Sequence, residues 1–311
     1  MKKFLIQLVL FSILCVVAGE LIIRSFKLVS DIPQRTIDPE TGIQLYRPGQ
    51  TGFYKQADEP WRVNEHGWVG VANLDRKVQF SVIGDSFIEN LMNPISSNQG
   101  YLLQEHYQDV GFFEAGRSGV SFIEALEISK KLEKDIDPQY HLVYLNNKDF
   151  SESIISKGRY MDIVQIDLGK GEVHKSRFKS PLAKKVLYSF KLAYYFYGRF
   201  PILVAKQNLG EIEANKIDPK TEFDFESFNK LFQYSAENYS QDKLVFVFHP
   251  DIKSEFVTLS NEHGFKNLTL ESGDDNWAIS EVDSHWSSFG HNQAALQVKG
   301  YIDANLEPAP R

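Results

Sequence analysis

Apolar and polar residues alternate along most of the chain in a pattern typical of an α/β domain. Short runs rich in β-branched and aromatic residues predict strands buried on both faces, at residues 78–83, 110–113, 141–145, 243–248 and 265–270. Apolar residues spaced three and four apart predict amphipathic helices between them, at residues 101–107, 121–134, 223–239 and 256–263. A further helix closes the chain after residue 287. This order predicts an α/β fold with a central, mostly parallel sheet.

The amino terminus has a different pattern. In residues 1–26, two lysines precede an apolar run that continues to Ile23, about the twenty residues that a bilayer requires. We interpret it as an uncleaved signal anchor, because the cleavage site that would end at Ala18 is a poor one. The positive-inside rule then predicts a single-pass inner-membrane protein whose main domain faces the periplasm or the outside. Cleavage of the segment would make the protein secreted.

Two other segments depart from the strand and helix pattern. Residues 27–75 are turn-rich and aromatic, and we predict a tether and a lead-in with one or two short strands. Within it, Trp61 and Trp68 either line a sugar site or cover the edge of the core. The α/β domain follows at residues 76–311, with an insertion at about residues 157–222. Basic and aromatic helices in that insertion suit a membrane surface, a glycan-binding lid, a docking face or ordinary core packing.

Composition excludes some classes of function. The chain has 311 residues, of which 42% are hydrophobic and 24% charged, so it can bury the core of a large domain. Its net charge of −7 gives no support to nucleic-acid binding. A single cysteine excludes an intrachain disulfide and a cysteine zinc site. The sequence calls for no metal and no organic cofactor.

A Gly-Asp-Ser sequence ends the first predicted strand of the sheet, at residues 84–86. Ligands bind at the carboxyl ends of the strands in open α/β sheets. Ser86 is therefore a candidate nucleophile, with backbone N–H groups of the following turn beside it. The alternative is that Asp85 and Ser86 only cap the next helix.

A candidate base lies near the other end of the chain. Asp283 and His285 are two residues apart, so in an extended segment both side chains point the same way. That spacing suits an imidazole base and the carboxylate that orients it. His249, after the fourth strand, is a rival base without an adjacent aspartate. We expect His291, early in the closing helix, to be exposed.

These motifs resemble the blocks of the SGNH hydrolase superfamily, the GDSL-type esterases and acetyltransferases. The resemblance implies a three-layer, flavodoxin-like sandwich in which Ser86 is the nucleophile, His285 the base and Asp283 its partner. It also implies an oxyanion hole formed by the N–H groups of Ser86 and Gly116. The Asp-x-His-Trp motif at residues 283–286 resembles that of the membrane-associated polysaccharide O-acetyltransferases of this superfamily, which include alginate O-acetylation proteins.

The third block departs from the family pattern. The superfamily has Gly-x-Asn-Asp after a strand, whereas this chain has Asn-Asn-Lys-Asp at residues 146–149. Either Asn147 or Lys148 would then supply the third oxyanion donor. The second block is a glycine that follows the next strand, here Gly116 in the sequence Gly-Arg-Ser-Gly at residues 116–119. We expect the adjacent Arg117 to be exposed and solvated.

The resemblance and the candidate triad together predict acyl transfer. We expect a serine-dependent esterase or O-acetyltransferase that acts on a cell-envelope or exported carbohydrate, with a possible membrane partner as acyl donor. One alternative is a non-catalytic glycan-binding or assembly component, which the departure at Lys148 supports. Another is a lipid-directed esterase. Fold analogy alone does not identify the substrate.

Overall fold

The structure is a computed structural model that describes residues 1–57, 59–70, 77–178, 181–200 and 223–306. In chain order its strands are β1 (Arg35–Ile37), β2 (Gln44–Tyr46), β3 (Thr51–Phe53), β4 (Pro60–Arg62), β5 (Val78–Gly84), β6 (Gly111–Gly116), β7 (Tyr140–Leu145), β8 (Gln165–Asp167), β9 (Glu172–His174), β10 (Leu244–Phe248), β11 (Lys266–Thr269), β12 (Ala278–Ser280) and β13 (Asp283–Trp286). Its helices are α1 (Lys2–Ser25), α2 (Ser86–Glu89), α3 (Gln99–His106), α4 (Phe122–Asp135), α5 (Asn147–Ser153), α6 (Pro181–Ser189), α7 (Lys191–Arg199), α8 (Phe225–Asn238), α9 (Ser254–Glu262) and α10 (Ser288–Asn305), with a 3₁₀ turn at Ile95–Ser97.

Five strands form the central sheet in the order β11-β10-β7-β5-β6, and every neighbouring pair is parallel. One face packs against α4, α5, α8 and α9, and the other against α3 and α10. Because both faces are covered, β5 is buried along its whole length, which explains its nearly continuous apolar run. The predicted three-layer α/β fold with a mostly parallel sheet is confirmed.

Strand β6 extends further than its apolar run predicts. The pattern breaks at Glu114, yet the strand continues to Gly116 with every residue buried. The Glu114 carboxylate accepts a hydrogen bond from the Gly100 N–H at 3.3 Å, which compensates for its burial. This extension carries the carboxyl end of β6 to the same edge as Gly84, its partner in the ladder.

The lead-in is more ordered than the sequence indicates. It forms two antiparallel hairpins, β1–β2 and β3–β4, instead of one or two strands. Trp61 and Trp68 are both buried, so they belong to the core and not to an exposed sugar platform. Val69 forms an isolated antiparallel bridge with Gly116, which fastens the lead-in to the sheet edge.

The terminal helix and the predicted insertion complete the fold. Among the residues that the structure describes, α1 is long and apolar enough to cross a membrane, as membrane anchors and signal sequences both are. In the insertion, the predicted strand is the β8–β9 hairpin, and the basic aromatic stretch forms α6 and α7. Residues 179–180 and 201–222 of this segment lie outside the described residues.

Candidate active site

Ser86 begins α2 directly at the carboxyl end of β5. The Asp85 carboxylate caps the helix by accepting a hydrogen bond from the Phe87 N–H at 2.9 Å. Glycine is required before this turn, because a Cβ on Gly84 would lie 2.4 Å from Ile88 Cγ1. A Cβ on Gly116 would likewise lie 2.5 Å from the Glu89 backbone nitrogen. The two strand-end glycines therefore allow α2 to start against the sheet with Ser86 at its edge.

Ser86, His285 and Asp283 form a continuous hydrogen-bonded chain. His285 Nε2 lies 2.8 Å from Ser86 Oγ, and His285 Nδ1 lies 2.7 Å from Asp283 Oδ1. Asp283 and His285 are on one strand, β13, whose two-residue period directs both side chains to the same face. Because a carboxylate only accepts, Nδ1 carries the proton and Nε2 is free to accept the Ser86 hydroxyl hydrogen. This is the arrangement of a nucleophile and its general base.

The surroundings of the chain keep the carboxylate ionised and hold the imidazole in place. The hydrogen bond from His285 lowers the pKa of Asp283, and Gln56 of the lead-in adds a further side-chain hydrogen bond. The Phe87 ring packs 5.0 Å from the imidazole of His285. The side chains of His285 and Asp283 are 31% and 27% exposed, so the site is open to solvent and substrate.

The two candidates for the third oxyanion donor, Asn147 and Lys148, each have contacts with other parts of the structure. The Asn147 amide donates to the Asp251 carbonyl at 2.8 Å and accepts from the Lys253 N–H at 2.9 Å, so it serves a neighbouring loop. Lys148 is exposed on α5, where its charge lies near the Glu152 carboxyl. The Asn147 amide is therefore engaged by hydrogen bonds to another loop, and the Lys148 charge interacts with Glu152.

Asn146, for which the sequence predicts no role, is the asparagine that faces the nucleophile turn. Its Nδ2 donates to Asp85 Oδ2 at 2.9 Å and to Asp149 Oδ1 at 3.2 Å. Burial raises the pKa of Asp85 to about 6, and burial with the nearby Asp85 charge raises the pKa of Asp149 well above its usual range. Both amide hydrogens are engaged, so Asn146 ties the Ser86 turn to the end of β7. Its place directly after a strand, like that of Asp85, was the available signal.

Two further histidines, His249 and His291, make contacts with other side chains and do not belong to the triad. His249 stacks on Trp286 with ring centroids 5.5 Å apart, and Phe87 packs against it at 5.1 Å. Phe87 thus contacts both His249 and His285, while only His285 hydrogen-bonds Ser86. His291 is buried, contrary to expectation, and receives a hydrogen bond on its carbonyl oxygen from Gln99 Nε2 at 2.7 Å.

Arg117 is also buried, so the expectation of an exposed arginine is wrong. Its Nη2 lies 2.6 Å from Glu124 Oε1, and both side chains are 0% exposed. Nearby, the Tyr46 hydroxyl donates to the Glu89 carboxylate, and the charges of Arg35 and Arg117 act on that carboxylate. We call four of these residues the buried ion cluster; they are Tyr46, Glu89, Arg117 and Glu124. Arg35 is half-buried at the edge of this cluster.

No family model matches the sequence, and no curated protein matches it. Solved structures are similar to it at low identity. They include a lipase/acylhydrolase from Enterococcus faecalis (12% identical, covering 75% of this chain and 100% of that one, TM-score 0.38) and a lipolytic G-D-S-L family member from Veillonella parvula (10%, 73% and 97%, 0.34). A third is the esterase EstA from Pseudoalteromonas sp. (12%, 72% and 99%, 0.35). At these values the function of the site has to follow from its own contacts.

Proposed function

We propose that the protein is a serine-dependent enzyme that acts on acyl esters, with Ser86 as nucleophile, His285 as base and Asp283 as the orienting carboxylate. The observation that carries this proposal is the chain of two short hydrogen bonds from Ser86 through His285 to Asp283. Ser86 and His285 lie 199 positions apart in sequence and meet at the carboxyl edge of the sheet. A helix cap alone needs no imidazole on the serine hydroxyl, and here Asp85 is the residue that caps α2.

The reaction follows from the protonation states in this chain. His285 Nε2 takes the Ser86 proton while Oγ bonds to the ester carbonyl carbon, and the backbone N–H of Ser86 is the proposed donor to the oxyanion. The resemblance also implies the N–H of Gly116 as a donor, but Gly116 ends β6 and forms an antiparallel bridge with Val69. Collapse of the tetrahedral intermediate expels the alcohol, which receives the proton from His285, and leaves an acyl-serine. Water or a sugar hydroxyl then attacks the acyl-serine, with His285 again as base, and regenerates Ser86.

The finer proposal is an esterase or O-acetyltransferase for a cell-envelope or exported carbohydrate. The apolar helix α1 supports it, since it suits a single-pass anchor that leaves the domain facing the periplasm or the outside. The resemblance at residues 283–286 supports the acetyl group and a membrane acyl donor. The non-catalytic alternative rested on Lys148, which lies on α5 and is not needed for the hydrogen-bonded triad. The lipid-directed alternative is an outcome of the test below.

The test follows the full-length protein in detergent with a chromogenic acetyl ester. We expect chromophore release together with a transient mass increase of one acetyl group on the protein. Ser86→Ala should abolish both, and Ser118→Ala, a matched serine outside the triad, should change neither. Well-folded protein that gives no cleavage and no adduct would contradict the enzyme proposal.

Two additions resolve the substrate. Candidate glycans added to the acetylated enzyme should accept the acetyl group if the protein is a transferase, whereas only free acetate should form if it is an esterase. A series of longer acyl esters then tests the lipid-directed alternative. A preference for long chains over acetyl would overturn the carbohydrate proposal while leaving the serine mechanism in place.

A further inference from the structure

Helix α1 contacts the folded domain through α7. The Glu20 carboxylate accepts hydrogen bonds from the backbone N–H groups of Lys191 at 3.1 Å and Leu192 at 2.7 Å, so it caps α7. Gly19 lies against the Leu192 side chain, since a Cβ there would be 3.1 Å from Leu192 Cδ1. Arg24, one turn further along α1, donates to Glu20 at 2.7 Å. These contacts explain why an otherwise apolar helix contains a carboxylate.

The position of Gly19 and Glu20 along α1 determines how deep their contact with α7 would lie in a bilayer. A hydrocarbon core of about 30 Å corresponds to roughly 20 helical residues, which here run from Phe4 to Ile23. Glu20 then lies about one helical turn inside the outer boundary of the core. Any segment that packs against Gly19 and Glu20, as the start of α7 does, must reach the membrane interface. If α1 spans a bilayer, α7 therefore begins at that interface.

Helices α6 and α7, with the residue that directly follows each of them, expose large apolar side chains; among these, Phe196 and Phe200 stack on each other with ring centroids 5.9 Å apart. The exposed fractions are 78% for Leu182, 67% for Val186, 39% for Phe190, 51% for Phe196 and 53% for Phe200. Residues 182, 186 and 190 are four apart, as are residues 196 and 200, so each set follows one helix face. Exposed apolar surface of this extent marks an interaction site.

The same helices carry positive charge. Lys184 and Lys185 are exposed on α6, and Arg199 is exposed near the end of α7. Between α6 and the first strands lies a cleft of about 400 Å³, lined among others by Arg35, Arg47, Lys184 and Lys185. Among the described residues that line it, Asp162 is the only one with a carboxylate. Basic residues beside apolar ones are the composition of helices that lie on anionic bilayers.

We propose that α6 and α7 form an interfacial membrane element, which lies beside α1 on a bilayer containing anionic phospholipid. The apolar side chains enter the acyl boundary, and the lysines of α6 with the basic cleft contact phosphate headgroups. The element holds the α/β domain at a defined orientation to the membrane instead of on a free tether. This inference rests on α1 as an anchor and is independent of the catalytic proposal.

The test uses the full-length chain in phospholipid vesicles. Cys15 is the single cysteine, so a Cys15→Ser background accepts one environment-sensitive fluorophore at Val186→Cys or at Phe196→Cys. The matched control is Thr258→Cys, an exposed position on α9, whose element contacts are with α8 and β11. We expect blue-shifted emission at residues 186 and 196 and severalfold stronger quenching by spin-labelled lipid than at residue 258.

Varying the lipid composition tests whether the lysines of α6 contact anionic headgroups. Adding phosphatidylglycerol to phosphatidylcholine vesicles should strengthen quenching at residue 186, and Lys184→Glu with Lys185→Glu should remove that gain. Quenching at residues 186 and 196 no stronger than at residue 258 would overturn the proposal in favour of a protein partner on these helices. Quenching that ignores phosphatidylglycerol would overturn the anionic part. Because no outcome depends on turnover, failure here is distinct from failure of the catalytic proposal.

Discussion

The short helix α2 joins two polar clusters with opposite exposure. Ser86, its first residue, belongs to the triad, whose His285 and Asp283 side chains are about a third exposed. Glu89, its last residue, belongs to the buried ion cluster, in which Arg117 and Glu124 are fully buried. Both clusters pair a cationic or protonatable group with a carboxylate. Solvent access separates them, because only the triad leaves a nucleophile within reach of a substrate.

This difference in solvent access predicts that substitutions in the two clusters have different effects, on catalysis in the triad and on stability in the buried ion cluster. Changing a triad member should remove catalysis and leave folding nearly intact, because water can solvate what remains. Changing a member of the buried ion cluster should leave an uncompensated charge without solvent, and so reduce stability while each folded molecule stays active. The substitutions below separate these costs, in order of decreasing expected effect.

Asp283→Asn should give the largest effect, a loss of about 10⁴-fold in kcat, since the imidazole would lose the partner that holds its tautomer. The free energy of unfolding should change by less than about 1 kcal/mol, because the carboxylate is partly exposed. Steady-state hydrolysis of the acetyl ester and urea unfolding measure the two quantities. A large loss of stability with modest loss of kcat would place Asp283 in a structural role.

Glu124→Gln should destabilise the protein by about 3–5 kcal/mol, because it leaves the buried Arg117 charge without its direct ion-pair partner. The double variant Arg117→Met with Glu124→Leu should recover part of this loss, since neither charge remains. Urea unfolding of the single and double variants gives the comparison, and kcat per folded molecule should stay within about twofold of the parent. A double variant less stable than Glu124→Gln would show that the pair has a net stabilising role.

The sequence predicted the parts of the fold and site that depend on local pattern. Strand periodicity located the sheet, and the two-residue spacing of Asp283 and His285 anticipated a shared face. The expected exposure of Arg117 is wrong because its partner Glu124 lies within the apolar stripe of α4. The burial of Arg117 also depends on packing with the lead-in, which its local sequence does not indicate. Asn146 directly follows β7 and caps α5, whereas Asn147 is the first residue of α5, so their side chains point in different directions. The position directly after the predicted strand is the one signal in the sequence that distinguishes them.

Asn146→Ala should lower kcat by about 10- to 100-fold, because it releases the Ser86 turn from the end of β7, and small misplacements of a reacting group cost this much. Asn147→Ala is the matched control, whose amide serves residues 251–253, and it should change kcat by less than about threefold. KM should change little in either variant. Equal losses in both variants would contradict the tying role of Asn146.

The smallest expected effect is that of His291 on the pH dependence of stability. It contrasts the buried imidazole of His291 with the partly exposed one of His285, six residues before it. The burial of His291 beside Trp286 lowers its pKa to about 3 from an ordinary value of 6.5. Between those values the unfolded chain binds a proton that the folded chain does not, so the free energy of unfolding falls as pH decreases below 6.5. The slope is about 1.4 kcal/mol per pH unit, which amounts to about 2 kcal/mol between pH 6.5 and pH 5.

Replacing His291 isolates this contribution. In His291→Gln the new amide cannot titrate, and its oxygen can still accept from Gln99, whose Nε2 lies 3.2 Å from His291 Nδ1. Urea unfolding at pH 7 and pH 5 should therefore show a smaller acid-induced loss in the variant than in the parent, by about 2 kcal/mol. Other titrating groups are common to both proteins and cancel in the difference. Equal losses would mean that His291 takes up a proton in the folded state, and the contrast between an open and a closed histidine would fail.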